Sequence, residues 1–249
     1  MSLVKTDSEI KIMKEAAEIL AEILKKLKKA VVPGIKTKKL EKEALFWMKK
    51  FKVKPNFLGK DGFPSVMCVS VNEVVAHGVP GNYILKEGDI VSLDLGIEYK
   101  GYNADMATTV GVGEIDFTKK RLIKVCKKAL KLAVKKARKG NTTGDIGNTI
   151  ERYVKSQGFH VVKKLCGHGI GKKLHEEPQV LNFGKRKKGM KLKKNMVLCI
   201  EPMIGVSSGE IVKAEDGFGF KIKDNSPSAH FEAMVKVGEK RGELLAPIC

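Results

Sequence analysis

Apolar and polar positions alternate with helical spacing at the start of the chain. Apolar residues recur every three or four positions after Thr6, which forms a capping-box pattern with Glu9 and so marks a helix start. The Val-Pro-Gly sequence at 32–34 ends this helix, and Thr37 is expected to cap a second, shorter one. A continuous apolar run at 65–71 then predicts a strand.

The same order of patterns recurs in the second half of the chain. A lysine-rich helix is predicted from about Phe117 to Arg138, a shorter helix opens at Thr143, and residues 160–166 are typical of a strand. An offset of 106 residues places Thr37 on Thr143. This indicates an internal duplication, although matches at helix caps and apolar positions can also arise by chance.

Length and composition are those of a globular protein, with 249 residues, 43% apolar and 31% charged. We expect one catalytic domain over 1–249, with pseudo-repeat halves at about 6–113 and 114–240. No apolar run approaches the roughly 20 residues that cross a bilayer, and the N-terminus lacks the apolar core of a signal peptide. We therefore expect a cytoplasmic protein without a membrane partner.

The net charge of +20 favours anionic partners such as the ribosome. Lysine supplies most of the positive charge, whereas arginine, which dominates bidentate contacts to bases, is scarce, so we expect no sequence-specific DNA binding. The lysine-rich runs at 25–29, 119–139 and 185–194 are also typical of solvated surfaces. The five cysteines form no CxxC pair, which argues against a disulfide framework or a zinc finger.

The most informative segment is 89–110, where two apolar runs flank a polar turn and predict a β-hairpin. A turn centred on Tyr99 and Lys100 would place Asp94 directly opposite Asp105, with Cβ atoms roughly 4.5–5.5 Å apart on one face. Like charges among apolar neighbours repel each other and lose hydration. A divalent cation between them is one explanation; two solvent-exposed aspartates on a shifted hairpin are the other.

Further acids and histidines lie in apolar or glycine-rich segments, namely His77, His168, His175, Glu201 and Glu232. Each fits an ordinary structural role by itself, as an edge-strand residue, a buried ion pair or a core histidine. If all these carboxylates were buried without partners, each would lower the stability of the fold by several kcal/mol. A site with two metal ions about 3.5–4 Å apart, sharing carboxylates and activating a water, would compensate for this cost. Imidazole and carboxylates suit Mn, Fe, Co or Zn.

These motifs closely resemble those of type I methionine aminopeptidases, in the pita-bread metallopeptidase family. The resemblance covers about 6–240, and the residues that carry it are His77-Gly78, Asp94, Asp105, the sequences CGHGIG and HEEP within 166–178, Glu201-Pro202 and Glu232. Proline-specific relatives share the metal ligands but carry a large N-terminal domain, and the type II form inserts a helical subdomain before the position of Glu232. The resemblance implies a duplicated α/β (α+β) pita-bread fold, in which helices cover a curved, mostly antiparallel sheet with pseudo-two-fold halves.

The resemblance also implies roles for the five expected metal ligands. Asp94 would bind one ion, and Asp105 and Glu232 would bridge both ions. His168 and Glu201 would complete the other ion's site. A hydroxide bridging the ions would be the nucleophile, with Glu201 as the proton shuttle.

Substrate contacts are implied on both sides of this centre. His77 and His175 would polarise the scissile carbonyl and stabilise the tetrahedral intermediate. The expected pocket for the first residue is lined by Phe57, Lys60, Phe63, Cys68, Leu174 and Phe218. Sulfur–aromatic contact suits a methionine thioether. Lys60 and Leu174 stand where bacterial relatives often have aromatic residues, so the lysine either points to solvent or selects different neighbouring residues.

The implied activity is removal of N-terminal methionine from nascent proteins and peptides whose second residue is small. Two divalent ions (Co, Mn, Fe or Zn) would be the cofactors, with a monovalent cation at the carbonyl groups of Asn72 and Val74, near Ser228. We expect a monomer whose basic surface associates with the ribosome. The alternatives are a proline-directed peptidase of the same fold and a non-catalytic binding protein that has lost its metals.

Overall fold

The structure, a computed structural model, describes residues 3–249, and within that range the α-helices form two pairs. The first pair is α1 and α2, and the second is α3 and α4. Their bounds are Asp7–Ala30 for α1, Thr37–Phe51 for α2, Phe117–Val134 for α3 and Thr143–Ser156 for α4. Apolar spacing in the sequence predicted both pairs, and the structure confirms this prediction. The duplication itself stays a prediction.

Capping explains three of the four helix starts. Thr6 and Glu9 form the predicted capping box of α1, in which Thr6 N donates to Glu9 Oε2 at 2.8 Å. Thr142 caps α4 in the same way, and Asp116 accepts from Lys119 N at the start of α3. The prediction that Thr37 caps α2 is wrong, because its hydroxyl donates to Gly81 O at 3.1 Å instead.

Antiparallel strands lie between and after the helix pairs, and all the pairings between named strands are antiparallel. In the first half they are β1 (Lys54–Pro55), β2 (Met67–Val71), β3 (Val74–Ala76), β4 (Ile90–Tyr99) and β5 (Tyr102–Gly111). In the second half they are β6 (His160–Val161), β7 (Cys166–Gly169), β8 (Glu176–Leu181), β9 (Val197–Ile200), β10 (Met203–Gly205), β11 (Ile211–Lys213), β12 (Phe220–Ile222), β13 (Ser228–His230), β14 (Ala233–Lys236) and β15 (Glu243–Leu244). This mixed helix and antiparallel sheet architecture agrees with the predicted fold class.

The hairpin β4–β5 forms as predicted, but in a different register. Lys100 and Gly101 make a two-residue turn, both with positive φ, which matches the twist of the flanking strands. Asp94 therefore faces Ala107, while Asp105 faces Gly96. The prediction that the aspartates lie directly opposite each other is wrong by two residues, although both remain on one face of the sheet.

The predicted strand at 160–166 is also divided in the structure. β6 pairs with β10, whereas β7 pairs with β8 and β9 in another sheet. The chain turns between them, and this delivers the segment that follows Cys166 to the same sheet as β9 and β14.

Each helix pair buries its apolar face in its own hydrophobic cluster. Leu20 and Leu24 of α1 are fully buried with Leu93 of the β4–β5 hairpin. Leu130 of α3 and Ile146 of α4 are fully buried with strands β9 and β14. No helix described between residues 3 and 249 is long and apolar enough to cross a membrane.

Candidate metal centre

Two sheets meet at the expected metal ligands. Asp94 and Asp105 lie on β4 and β5, and Glu232 immediately precedes β14. Glu232 N donates to Ala107 O of β5 at 2.9 Å, so the main chain ties the second sheet to the first at this point. Glu201 follows β9 directly.

His168 on β7 stands among these acids. Its Nε2 lies 3.7 Å from Glu201 Oε1, 3.9 Å from Asp105 Oδ2 and 4.0 Å from Glu232 Oε1. Carboxylate oxygens of Asp94, Asp105 and Glu232 lie within 4.8 Å of one another. Metal–ligand bonds of about 2.0–2.2 Å put two ligands of one ion about 3–4 Å apart. The spacing therefore fits a divalent ion or a pair of ions.

The electrostatics of the cluster also fit a cation. Burial raises the pKa of Asp94 to about 7. Burial and then repulsion between the carboxylates raise the pKa of Asp105, Glu201 and Glu232 well above their usual range. Among residues 3–249, no hydrogen-bond partner is found for Asp94 Oδ1, Asp105 Oδ1 or Glu232 Oε1. Buried oxygens of this kind are costly unless a cation compensates them.

Hydrogen bonding orients the His168 ring toward the acids. Its Nδ1 lies 2.9 Å from Gly169 O, so the ring donates a proton there and leaves the Nε2 lone pair facing the carboxylates. A metal-binding histidine normally has such a partner for its other nitrogen. Burial lowers the pKa of His168, which favours the neutral ring that a metal requires.

The other two predicted histidines flank this centre. The His175 ring lies 4.4 Å from the His168 ring, measured between centroids. His77 has a φ of 59°, in the left-handed region, and its ring contacts Phe220. Such backbone strain in a residue other than glycine is common at functional sites. Loss of hydration, followed by the charge of His168, lowers the pKa of His175 to about 4.

His230 is a neighbour of the cluster that sequence reasoning missed. Its Nε2 lies 3.7 Å from Glu201 Oε2, so the Glu201 carboxylate lies between two imidazoles. The side chain is buried, and within the described residues neither ring nitrogen has a hydrogen-bond partner. Its position two residues before Glu232, in a strand-like run, was the signal that could have identified it.

A cavity of about 370 Å³ opens beside the acids. All the residues expected to contact the first side chain of a substrate line it, namely Phe57, Lys60, Phe63, Cys68, Leu174 and Phe218. The rings of Phe63 and Phe218 meet edge to face at 5.6 Å. Cys68 pairs with Asp94 across β2 and β4, and burial raises the pKa of its thiol. Lys213 also lines the cavity and was not predicted.

The loop that carries His175 is fastened at several points. Asn103 Nδ2 donates to Gly171 O at 3.2 Å and to Lys172 O at 3.1 Å. At the other end of the loop, Lys5 Nζ lies 2.6 Å from Glu176 Oε2. Neither anchor was predicted, because each joins segments far apart in sequence.

The carbonyl groups expected to bind a monovalent cation also lie together. Ser228 Oγ donates to Asn72 O at 3.0 Å and to Val74 O at 3.1 Å. The three residues thus share one small polar site at the junction of β3 and β13.

Comparison with known proteins gives consistent similarities. A model of metallopeptidase family M24 matches residues 11–239. A methionine aminopeptidase of Clostridium perfringens is 42% identical over 248 residues, covering 100% of both chains. The crystal structure of a methionine aminopeptidase from Thermotoga maritima is 41% identical, with a TM-score of 0.95, and the match covers 97% of this chain and 98% of that one. A prolidase from Pyrococcus horikoshii is 22% identical with a TM-score of 0.79, over 99% of this chain and 64% of that one, which shows the fold alone.

Proposed function

The chain belongs to metallopeptidase family M24, and we infer that it hydrolyses N-terminal methionine from peptides and nascent proteins whose second residue is small. It is a metal-dependent aminopeptidase. The observation that carries this inference is the buried carboxylate–imidazole cluster beside an aromatic cavity. The two methionine aminopeptidases named above supply the substrate, because this chain matches them over 100% and 98% of their length.

The metal ions would be held by Asp94, Asp105, His168, Glu201 and Glu232. We propose two divalent ions, of Co, Mn, Fe or Zn, because carboxylate and imidazole ligands suit all four. When bound, such ions supply Lewis acidity and lower the pKa of a coordinated water. Asp94, Asp105 and Glu232 each have a buried oxygen for which residues 3–249 provide no hydrogen-bond partner, and these oxygens support the assignment.

Proton transfer is assigned to Glu201. Its carboxylate can accept a proton from the attacking water and return it to the leaving amine nitrogen. His77 and His175 line the same cavity as the acids, and their lowered pKa favours neutral rings. A neutral imidazole can donate one N–H to the developing oxyanion of the scissile carbonyl.

The aromatic cavity would hold the methionine side chain. Phe57, Phe63 and Phe218 offer ring contacts to the thioether sulfur, and such contacts are favourable by about 0.3–1.5 kcal/mol each. Cys68 is a small apolar wall residue there, since its raised pKa keeps the thiol protonated. We therefore do not assign the nucleophile to Cys68.

Turnover of Met-Ala, Met-Gly and Xaa-Pro peptides by protein reloaded with single metals tests this function. We expect cleavage after methionine with small second residues, and no turnover after exhaustive chelation. Asp105→Ala should abolish turnover. A preference for Xaa-Pro would favour the proline-directed alternative, and full activity in Asp105→Ala would contradict the metal assignment.

We also propose that the protein acts as a cytoplasmic monomer on nascent chains, with its basic surface against ribosomal RNA. The net charge of +20 supports this. The backbone bond from Gly140 N to Leu192 O, at 3.1 Å, brings the end of the lysine-rich segment 119–139 beside the segment 185–194. Association should weaken about 10³–10⁵-fold between 50 and 200 mM salt if 6–10 phosphates are contacted. Ribosome binding that is undetectable or insensitive to salt would contradict this.

The carbonyl groups of Asn72 and Val74, with Ser228, are proposed to bind a monovalent cation. Three oxygens converge there, which is the ligand type that hard cations prefer. Potassium or sodium in place of a bulky organic cation should raise the melting temperature, and no difference would contradict the site.

A further inference from the structure

The wall of the proposed methionine cavity holds a cationic side chain with which a thioether forms no strong hydrogen bond. Lys60 lies on the segment 57–63, and its backbone is fixed between two cavity phenylalanines. Lys60 N donates to Phe57 O at 3.0 Å, and Phe63 N donates to Lys60 O at 2.9 Å. The side chain is 35% exposed, so most of it is covered by the cavity wall. The position of this lysine in the fold is therefore well defined.

The ammonium group of Lys60 has donor capacity to spare. Its one hydrogen bond within residues 3–249 goes to Asp61 Oδ2 at 3.3 Å, and that carboxylate is 89% exposed. An ammonium carries three donors. Lys213, the other lysine of the cavity, is engaged differently, because its Nζ donates to Phe218 O and lies 4.2 Å above the Phe220 ring. Lys60 is thus the cation available to a ligand in the cavity.

Lys60 also shares its cavity with the reaction centre. His168, His175 and Glu201 line the same cavity as Lys60. A substrate bound at these acids and imidazoles would therefore extend into the space that this lysine lines.

A thioether sulfur is a weak hydrogen-bond acceptor, so a methionine side chain gives this ammonium little to bind. Oxidation of methionine adds one strongly polar oxygen to the same carbon skeleton and makes the sulfur chiral. Such an oxygen would be costly to bury in an aromatic cavity without a donor. We propose that the protein also removes N-terminal methionine sulfoxide, with Lys60 Nζ donating to the sulfoxide oxygen. This inference rests on the proposed function.

The reaction is the same hydrolysis. One water adds across the first peptide bond, the bond between the carbonyl carbon and the amide nitrogen breaks, and free methionine sulfoxide and the shortened peptide are released. The sulfur keeps its oxidation state, so no reductant is needed. Since Lys60 approaches from one wall, the two sulfoxide epimers should be cleaved at different rates.

Kinetics on Met-Ala-Ser and on the two resolved Met-sulfoxide-Ala-Ser epimers test the proposal. The quantity to compare is the ratio of kcat/KM for the sulfoxide to kcat/KM for the thioether. In Lys60→Met this ratio should fall about tenfold or more, the typical effect of losing a hydrogen bond from a charged donor. Lys60→Arg, which keeps a cationic donor, should retain part of the ratio.

Lys54→Met is the matched control. It removes a lysine on the neighbouring β1 that is 80% exposed and paired with Glu98 at 3.7 Å, so the ratio should not change. The proposal is overturned if the wild-type protein cleaves neither epimer while cleaving Met-Ala-Ser, or if Lys60→Met leaves the ratio unchanged. Failure on Met-Ala-Ser itself would instead refute the proposed function.

Discussion

The buried ion pair between Lys5 and Glu176 offers a direct test of how the His175 loop is held. Its Nζ–Oε2 distance is 2.6 Å, and the two side chains are 6% and 8% exposed. Lys5→Met keeps an unbranched apolar stem but removes the charge. The Glu176 carboxylate would then be buried beside the active-site loop without its counter-ion.

The expected loss of stability follows from this geometry. Breaking a buried pair by removing one partner costs about 3–5 kcal/mol. Glu176 Oε1 still accepts a hydrogen bond from Lys173 N at 3.0 Å, so we expect the lower end, about 3 kcal/mol. For a chain of this length, each kcal/mol shifts the melting temperature by about 2–4 °C. The predicted decrease is therefore about 6–12 °C.

Activity should fall because the loop loses one of its anchors. Asn103 still holds the carbonyl groups of Gly171 and Lys172, and the main chain of Glu176 stays paired with Gly169, so only the side-chain contact next to His175 is lost. Removing an oxyanion donor altogether costs about 10²–10³ in kcat. Displacing one partially should cost about tenfold in kcat, with a smaller change in KM because the aromatic cavity is untouched.

The assay is urea unfolding with steady-state kinetics on Met-Ala-Ser. Lys5→Met/Glu176→Gln should recover much of the lost stability, because the uncompensated charge is gone. Together with the wild-type protein and the single variants Lys5→Met and Glu176→Gln, it completes a double-mutant cycle. Lys14→Met is the control, since the Lys14–Glu18 pair is exposed and 3.9 Å apart and should contribute less than about 1 kcal/mol. If Lys5→Met is no more destabilising than Lys14→Met, the anchoring role is refuted.

Three further predictions concern the helix cap, the cavity and the metal centre. Thr6→Ala should lower the free energy of unfolding by about 1 kcal/mol, because the α1 capping box is lost; an unchanged urea midpoint would contradict this. Gly96→Ala should raise KM for methionine peptides while bound metal stays constant, since a Cβ there collides with Asn56 and lies 2.6 Å from Phe57 Cε1; an unaltered KM would count against the assigned cavity. Chelation should lower the melting temperature and metal should restore it, because a ligand that binds only the folded state stabilises it; calorimetry showing no shift would argue against a metal centre.

Local sequence patterns predicted the helix pairs and the segments that carry the acids, but not the contacts between distant segments. His230 lies against Glu201 because β10 pairs with β13, and Lys5 meets Glu176 across 171 positions of sequence. Nothing in the residues around Lys5 distinguishes it from the other lysines. Its burial depends on where the N-terminal segment packs, which is a property of the whole fold.

The hairpin shows why the aspartates could be assigned to one site although their register was predicted wrongly. The predicted turn differed from the real one because Lys100 adopts positive φ, which a lysine seldom does, and only Gly101 signalled a turn of this type. Side chains in a strand alternate between faces with a period of two, so a shift of two residues keeps Asp94 and Asp105 on the same face. A shift of one residue would have moved one aspartate to the opposite face, away from Glu232. The prediction of a shared site therefore depended on the parity of the pairing, and the spacing between the aspartates depended on the turn.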